Sequence, residues 1–178
     1  MSELISGKII SSQIKEELRN EIENLIKRGL EPCLAVILVG EDPASAVYVR
    51  NKKRTCEELG IRSVGHDLPE TISQDELENL VNDLNNDSSV HGILNQFPLP
   101  NGLDESSVIR TISPEKDVDG LNPLNAGLIA MGQPSFISCT PYGVLQMLKR
   151  TNISTSGKNA VVLGRSNLVG RPIATLLS

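Results

Sequence analysis

Tyr48 and Lys52 stand one helical turn apart in Ala46-Val47-Tyr48-Val49-Arg50-Asn51-Lys52, a spacing that puts a phenol and an amine on one face of a helix. A lysine beside a tyrosine is a proton-transfer pair when burial brings the amine's pKa towards neutrality. Two later segments carry groups that suit such a pair. Gln96, in Asn95-Gln96-Phe97-Pro98-Leu99-Pro100, follows an apolar strand pattern. In open α/β sheets, ligands bind beyond the carboxyl ends of strands, and the two prolines stiffen the backbone that presents the Gln96 amide. Asp119, in Asp117-Val118-Asp119-Gly120, is a carboxylate able to accept hydrogen bonds from an amino-substituted heterocycle. Read singly, each segment is also an ordinary turn of Pro, Asp and Gly.

A fourth segment suits phosphate. Leu163-Gly164-Arg165-Ser166-Asn167-Leu168-Val169-Gly170 joins an apolar run to a helix start, and a glycine loop before a helix offers free amides to an anion. The pattern is G-x-S-x-x-x-G, which departs from the usual dinucleotide fingerprint. Arg165 is placed to pair with a 2′-phosphate, favouring NADP over NAD.

These residues need elements to hold them. Ile10, Ile14, Leu18, Ile22 and Leu25 recur at helical spacing, with Gly29 as a stop. Residues 33–39 are a continuous apolar run and read as a strand buried on both faces. Asp42-Pro43 starts the helix carrying Tyr48 and Lys52, which Gly60 ends. Residues 61–68 form a weaker strand, and Ser73-Gln74-Asp75-Glu76 is a capping box that opens a helix. A third strand over 90–94 ends at the prolines. A short helix over 104–110 precedes a polar loop through 119–125, and Thr140-Pro141 opens another helix. Residues 158–163 read as a fourth strand, with a helix from 170 to 177. The alternation predicts an α/β fold with a mainly parallel sheet. The polar stretch 151–158 reads as a linker, dividing a domain over 1–150 from a second one starting in 151–178.

Composition narrows the function classes. The 178 residues carry a net charge of −5 and only 2% aromatics, which argues against a nucleic-acid surface. No apolar run approaches the roughly 20 residues that span a bilayer, and the N-terminus lacks a signal peptide's apolar stretch. Three widely spaced cysteines fit reduced thiols in the cytoplasm, and no metal-ligand spacing is present.

In order along the chain, Val39-Gly40-Glu41-Asp42-Pro43-Ala44-Ser45, the Tyr48/Lys52 helix, Gln96-Phe97-Pro98-Leu99-Pro100 and Lys116-Asp117-Val118-Asp119-Gly120 are followed by Cys139-Thr140-Pro141-Tyr142-Gly143 and the segment from Val162 to Pro172. This ordered set resembles the bifunctional methylenetetrahydrofolate dehydrogenase/methenyltetrahydrofolate cyclohydrolase (FolD) family. The resemblance implies an N-terminal parallel-sheet α/β domain followed by the start of a Rossmann-type NADP-binding domain. It implies NADP-linked oxidation of 5,10-methylenetetrahydrofolate and hydrolysis of the methenyl product to 10-formyltetrahydrofolate. By position, Lys52 is the acid/base of the hydrolysis, Tyr48 packs on the folate and Gln96 tunes Lys52. Pro100 and Asp119 complete the folate contacts, with Asp119 at the pterin end. Gly164, Arg165 and Ser166 contact the NADP phosphates. The resemblance also implies a homodimer.

Three departures stand out. Asn95 and Phe97 flank Gln96 where smaller apolar residues are expected. Ser138 replaces a usual proline before Cys139. The chain is also shorter than the family pattern and is read as C-terminally truncated, so that hydride transfer is expected to be lost and residues 158–178 to be poorly ordered or sticky. A non-catalytic folate-binding or partner-binding remnant is the alternative. A short-chain dehydrogenase is disfavoured, because its glycine turn precedes the Tyr-x-x-x-Lys pair.

Overall fold

The computed structural model describes residues 4–178. Its sheet has three parallel strands, β1 (Cys33–Val39), β2 (Arg62–Leu68) and β3 (Gly92–Asn95), in the order β2-β1-β3. Among the described residues, 18–118 form one compact unit, and 4–17 with 119–178 form another. Helix α1 (Gly7–Lys27) runs from the second unit into the first.

In the sheet unit, β1 is central, and its apolar run follows from that position. Cys33, Ala35, Ile37 and Val39 line one face with Ile93 of β3. Helix α3 (Gln74–Asn86) covers them with Leu77, Val81 and Leu84, and helix α4 (Glu105–Thr111) adds Val108. Val36 and Leu94, one residue out of phase, are buried on the opposite face.

The helix boundaries follow local chemistry. Helix α2 (Pro43–Leu59) starts where the Asp42 carboxylate accepts the Ser45 amide at 2.7 Å. That bond holds the Asp42 carboxyl below its ordinary value. The helix stops at Gly60, whose φ of 81° is left-handed. In α3 both halves of the capping box form between Ser73 and Glu76. The same interactions hold the Glu76 carboxyl low.

Asn95 breaks the apolar pattern of β3. It is 1% exposed, sits opposite Ile37, and neither polar atom of its amide has a hydrogen-bond partner. A buried, unmade amide costs about 1–3 kcal/mol. Asn95→Val keeps a comparable volume without polar atoms and suits a strand. It is expected to raise the unfolding free energy by about 1–3 kcal/mol, read from the urea midpoint. A midpoint that falls would mean that the amide is satisfied after all.

The other unit holds α5 (Pro123–Ala130), α6 (Cys139–Arg150) and α7 (Gly170–Leu176). Glu17 of α1 takes Arg150 of α6 in a two-pronged pair, at 2.7 and 2.6 Å. Two sequence expectations change here. The expected polar loop through 119–125 gives way to α5, which starts at Pro123 with Asn122 as its cap. The expected strand over 158–163 does not form, and Val161 and Leu163 are 85% and 97% exposed. A strand needs a neighbour to take its amides and carbonyls, and no strand pairs with this segment among the described residues.

Candidate functional site

Lys52 and Gln96 meet beyond the carboxyl end of β3. Lys52 is half-buried on α2 and donates from Nζ to Gln96 Oε1 at 3.2 Å. The Gln96 amide is itself oriented, because its Nε2 donates to the Phe97 carbonyl at 2.8 Å. The Gln96 backbone is also fixed, its amide donating to the Ile37 carbonyl at 2.9 Å. Lys52 therefore faces an acceptor that cannot flip without losing a bond. Tyr48 lies one turn earlier on α2 and is 63% exposed, so its ring is open to stacking.

Pro100 closes the loop that carries Gln96 and lies against Gly40 at the end of β1. A Cβ on Gly40 would meet Pro100 Cγ at 3.5 Å. Val39, Gly40, Glu41, Glu70, Leu99 and Pro100 line part of a cavity of about 380 Å³ at the strand ends.

Asp119 belongs to the other unit, where its Oδ1 accepts from Cys139 Sγ at 3.7 Å. Gly120 follows with a φ of 63° and is pressed against the backbone of residues 136–138. Cys139 had no assigned part in the sequence reading, since a bond across 20 residues leaves no local signal.

Gly164, Arg165 and Ser166 lie in the loop that leads into α7. Gly164 has a φ of 143°, which only glycine adopts readily. A Cβ on Gly170 would lie 2.4 Å from the Gly164 carbonyl oxygen, so the two ends of the loop touch. Ser166 Oγ accepts from the amides of Val169 at 3.2 Å and Gly170 at 3.4 Å. Both acceptor sites of the hydroxyl are taken, which leaves its proton to donate to an anion. Arg165 is exposed. A bare glycine turn, a hydroxyl donor and an exposed guanidinium together fit the phosphates of a dinucleotide.

The structure thus brings Lys52 and Gln96 into contact and sets Tyr48 and Pro100 on the elements beside them. Asp119 and the 164–166 loop stand in the second unit. Among the described residues, no helix is long and apolar enough to cross a membrane.

Comparison with known proteins gives a consistent picture. The profile described as tetrahydrofolate dehydrogenase/cyclohydrolase, catalytic domain, matches residues 5–119. The corresponding NAD(P)-binding domain profile matches residues 138–178. The bifunctional protein FolD of Agathobacter rectalis is 54% identical over 177 residues, covering 99% of this chain and 63% of the relative. The crystal structure of the bifunctional FolD of Campylobacter jejuni superposes with a TM-score of 0.97 at 49% identity, over 98% of this chain and 62% of that one. The Trypanosoma brucei methylenetetrahydrofolate dehydrogenase-cyclohydrolase, solved with NADP and an inhibitor, gives 0.93 at 34% identity, over 99% of this chain and 61% of that one. The chain spans about 63% of the length of its A. rectalis relative. By the match over residues 5–119, together with the parallel sheet and the Lys52–Gln96 contact, this chain belongs to the tetrahydrofolate dehydrogenase/cyclohydrolase family.

Proposed function

We propose that this chain carries the folate chemistry of a bifunctional enzyme, which oxidises 5,10-methylenetetrahydrofolate with NADP and hydrolyses 5,10-methenyltetrahydrofolate to 10-formyltetrahydrofolate. The observation that carries this reading is the Lys52 Nζ–Gln96 Oε1 bond with its fixed amide. Hydrolysis of a methenyl cation requires water to add at the one-carbon centre and lose a proton. Lys52 takes that proton and returns one to the ring nitrogen as the carbon–nitrogen bond breaks, while the remaining hydroxyl proton leaves to solvent and the formyl carbonyl forms. Gln96 holds the amine in line, and the exposed Tyr48 ring stacks on the folate. Pro100 shapes the rigid edge of the loop, and Asp119 accepts from the amino group of the pterin.

Gly164, Arg165 and Ser166 hold the NADP phosphates, Arg165 selecting the 2′-phosphate. When bound, NADP supplies the hydride acceptor, and the protein's task in that step is to orient the folate carbon and exclude water. In this reading residues 1–150 form the folate domain and residues 151–178 open the cofactor domain. The enzyme works in the cytoplasm as a homodimer, with three free cysteines supporting the compartment.

The test is binding. Titration calorimetry with folic acid is expected to show affinity falling roughly tenfold in Tyr48→Ala and in Asp119→Ala, the size of a lost stacking or charge-assisted contact. Unchanged affinity in both variants removes the site assignment.

A further inference from the structure

Ser138 sits at the N-cap of α6, where a serine hydroxyl ordinarily accepts an amide of the first helical turn. It makes no such bond. The side chain is buried, at 3% exposure, and its Oγ donates to the Leu168 carbonyl at 2.8 Å, across 30 residues of sequence. Leu168 lies inside the 164–170 loop. We propose that Ser138 is a positioning residue, tying that loop to the backbone segment against which Asp119 and Gly120 pack, and that nucleotide and folate binding are coupled through residues 136–139. The proposal rests on the functional reading above for its two ligands, although the tie itself is visible without them.

Three further observations make the segment a strut. At its start, Ser135 Oγ donates to the buried Asn125 Oδ1 at 2.7 Å, anchoring it to α5. In its middle, a Cβ on Gly120 would lie 2.7 Å from Ile137 C and Ser138 N and 2.8 Å from Phe136 O, so the Asp119-Gly120 turn rests on its backbone with no slack. At its end, Cys139 Sγ reaches Asp119 Oδ1. A displacement of residues 136–139 therefore moves the Asp119 carboxylate.

The loop on the other side is equally stiff. The Ser166 hydroxyl closes it onto Val169 and Gly170, and the Arg171 amide donates to the Ser166 carbonyl at 3.0 Å. A pull on Leu168 is passed to Arg165 and Ser166 because the loop moves as one body. The Ser138 hydroxyl is a side-chain link between these two stiff parts.

The experiment compares the unmodified protein with Ser138→Ala and Ser138→Thr, which restores a hydroxyl. Hydrogen exchange without ligand reads the tie directly. Amides of residues 164–170 are expected to exchange roughly fivefold faster in Ser138→Ala, the loss of one hydrogen bond, and to recover in Ser138→Thr. NADP affinity, by titration with and without saturating folic acid, is expected to fall roughly fivefold in Ser138→Ala. The ratio of those two affinities should move towards one, because reciprocity makes it the measure of coupling. Unchanged exchange and unchanged NADP affinity in Ser138→Ala overturn the proposal. A parent protein that binds neither NADP nor folic acid overturns the functional reading and the coupling, while faster loop exchange in Ser138→Ala would still uphold the tie.

Discussion

Lys52→Met is expected to slow the hydrolysis of 5,10-methenyltetrahydrofolate by about 10²–10⁴-fold, the usual contribution of a positioned proton-transfer group. The decay of the methenyl absorbance measures it. Methionine keeps the length and apolar stem of lysine, so α2 retains its packing, while the Nζ that donates to Gln96 Oε1 is gone. Loss of turnover with an unchanged melting temperature separates chemistry from folding. Folic acid affinity should change much less than turnover, because the lysine acts chiefly on the reacting carbon. Turnover equal to the parent's would take Lys52 out of the proton path.

The second large effect is structural. Gly120→Ala is expected to cost about 2–5 kcal/mol of stability, from a left-handed backbone that alanine resists and from overpacking. Gly120 has a φ of 63°, and the atoms that a Cβ would meet at 2.7–2.8 Å belong to the backbone of residues 136–138. A flexible side chain could swing aside, but this segment is anchored by the Ser135–Asn125 and Ser138–Leu168 bonds. Chemical denaturation reads the loss. A midpoint equal to the parent's would mean that residues 136–138 give way freely, contrary to their role as a strut.

Much of the sheet unit was legible in the sequence because its signals are local. The seven-residue run of β1, the Asp42-Pro43 start and Gly60 stop of α2, and the Ser73/Glu76 box of α3 each act within a few residues. Helix α5 was hidden because Pro-Leu-Asn-Ala-Gly-Leu-Ile-Ala has no polar face to give a period, although Asn122-Pro123 is a sound cap. Residues 158–163 misled in the opposite direction. Their apolar run has the composition of a strand, but composition says nothing of whether a neighbour is present to pair with it.

The site was legible only in part. Tyr48 and Lys52 announce themselves by spacing, whereas the Lys52–Gln96 contact joins residues 44 apart, and its reading came from a family resemblance. The bonds of Cys139 to Asp119 and of Ser138 to Leu168 have no sequence period at all.

The pairing of Glu17 with Arg150 sets an order of events on the ribosome. Everything that the three-stranded sheet needs lies in the continuous stretch 18–118, so that unit can close while later codons are still being read. Glu17 lies before that stretch but must wait for position 150 before its guanidinium partner exists. The pair closes a loop of 133 residues, and the whole sheet is synthesised before that loop can close.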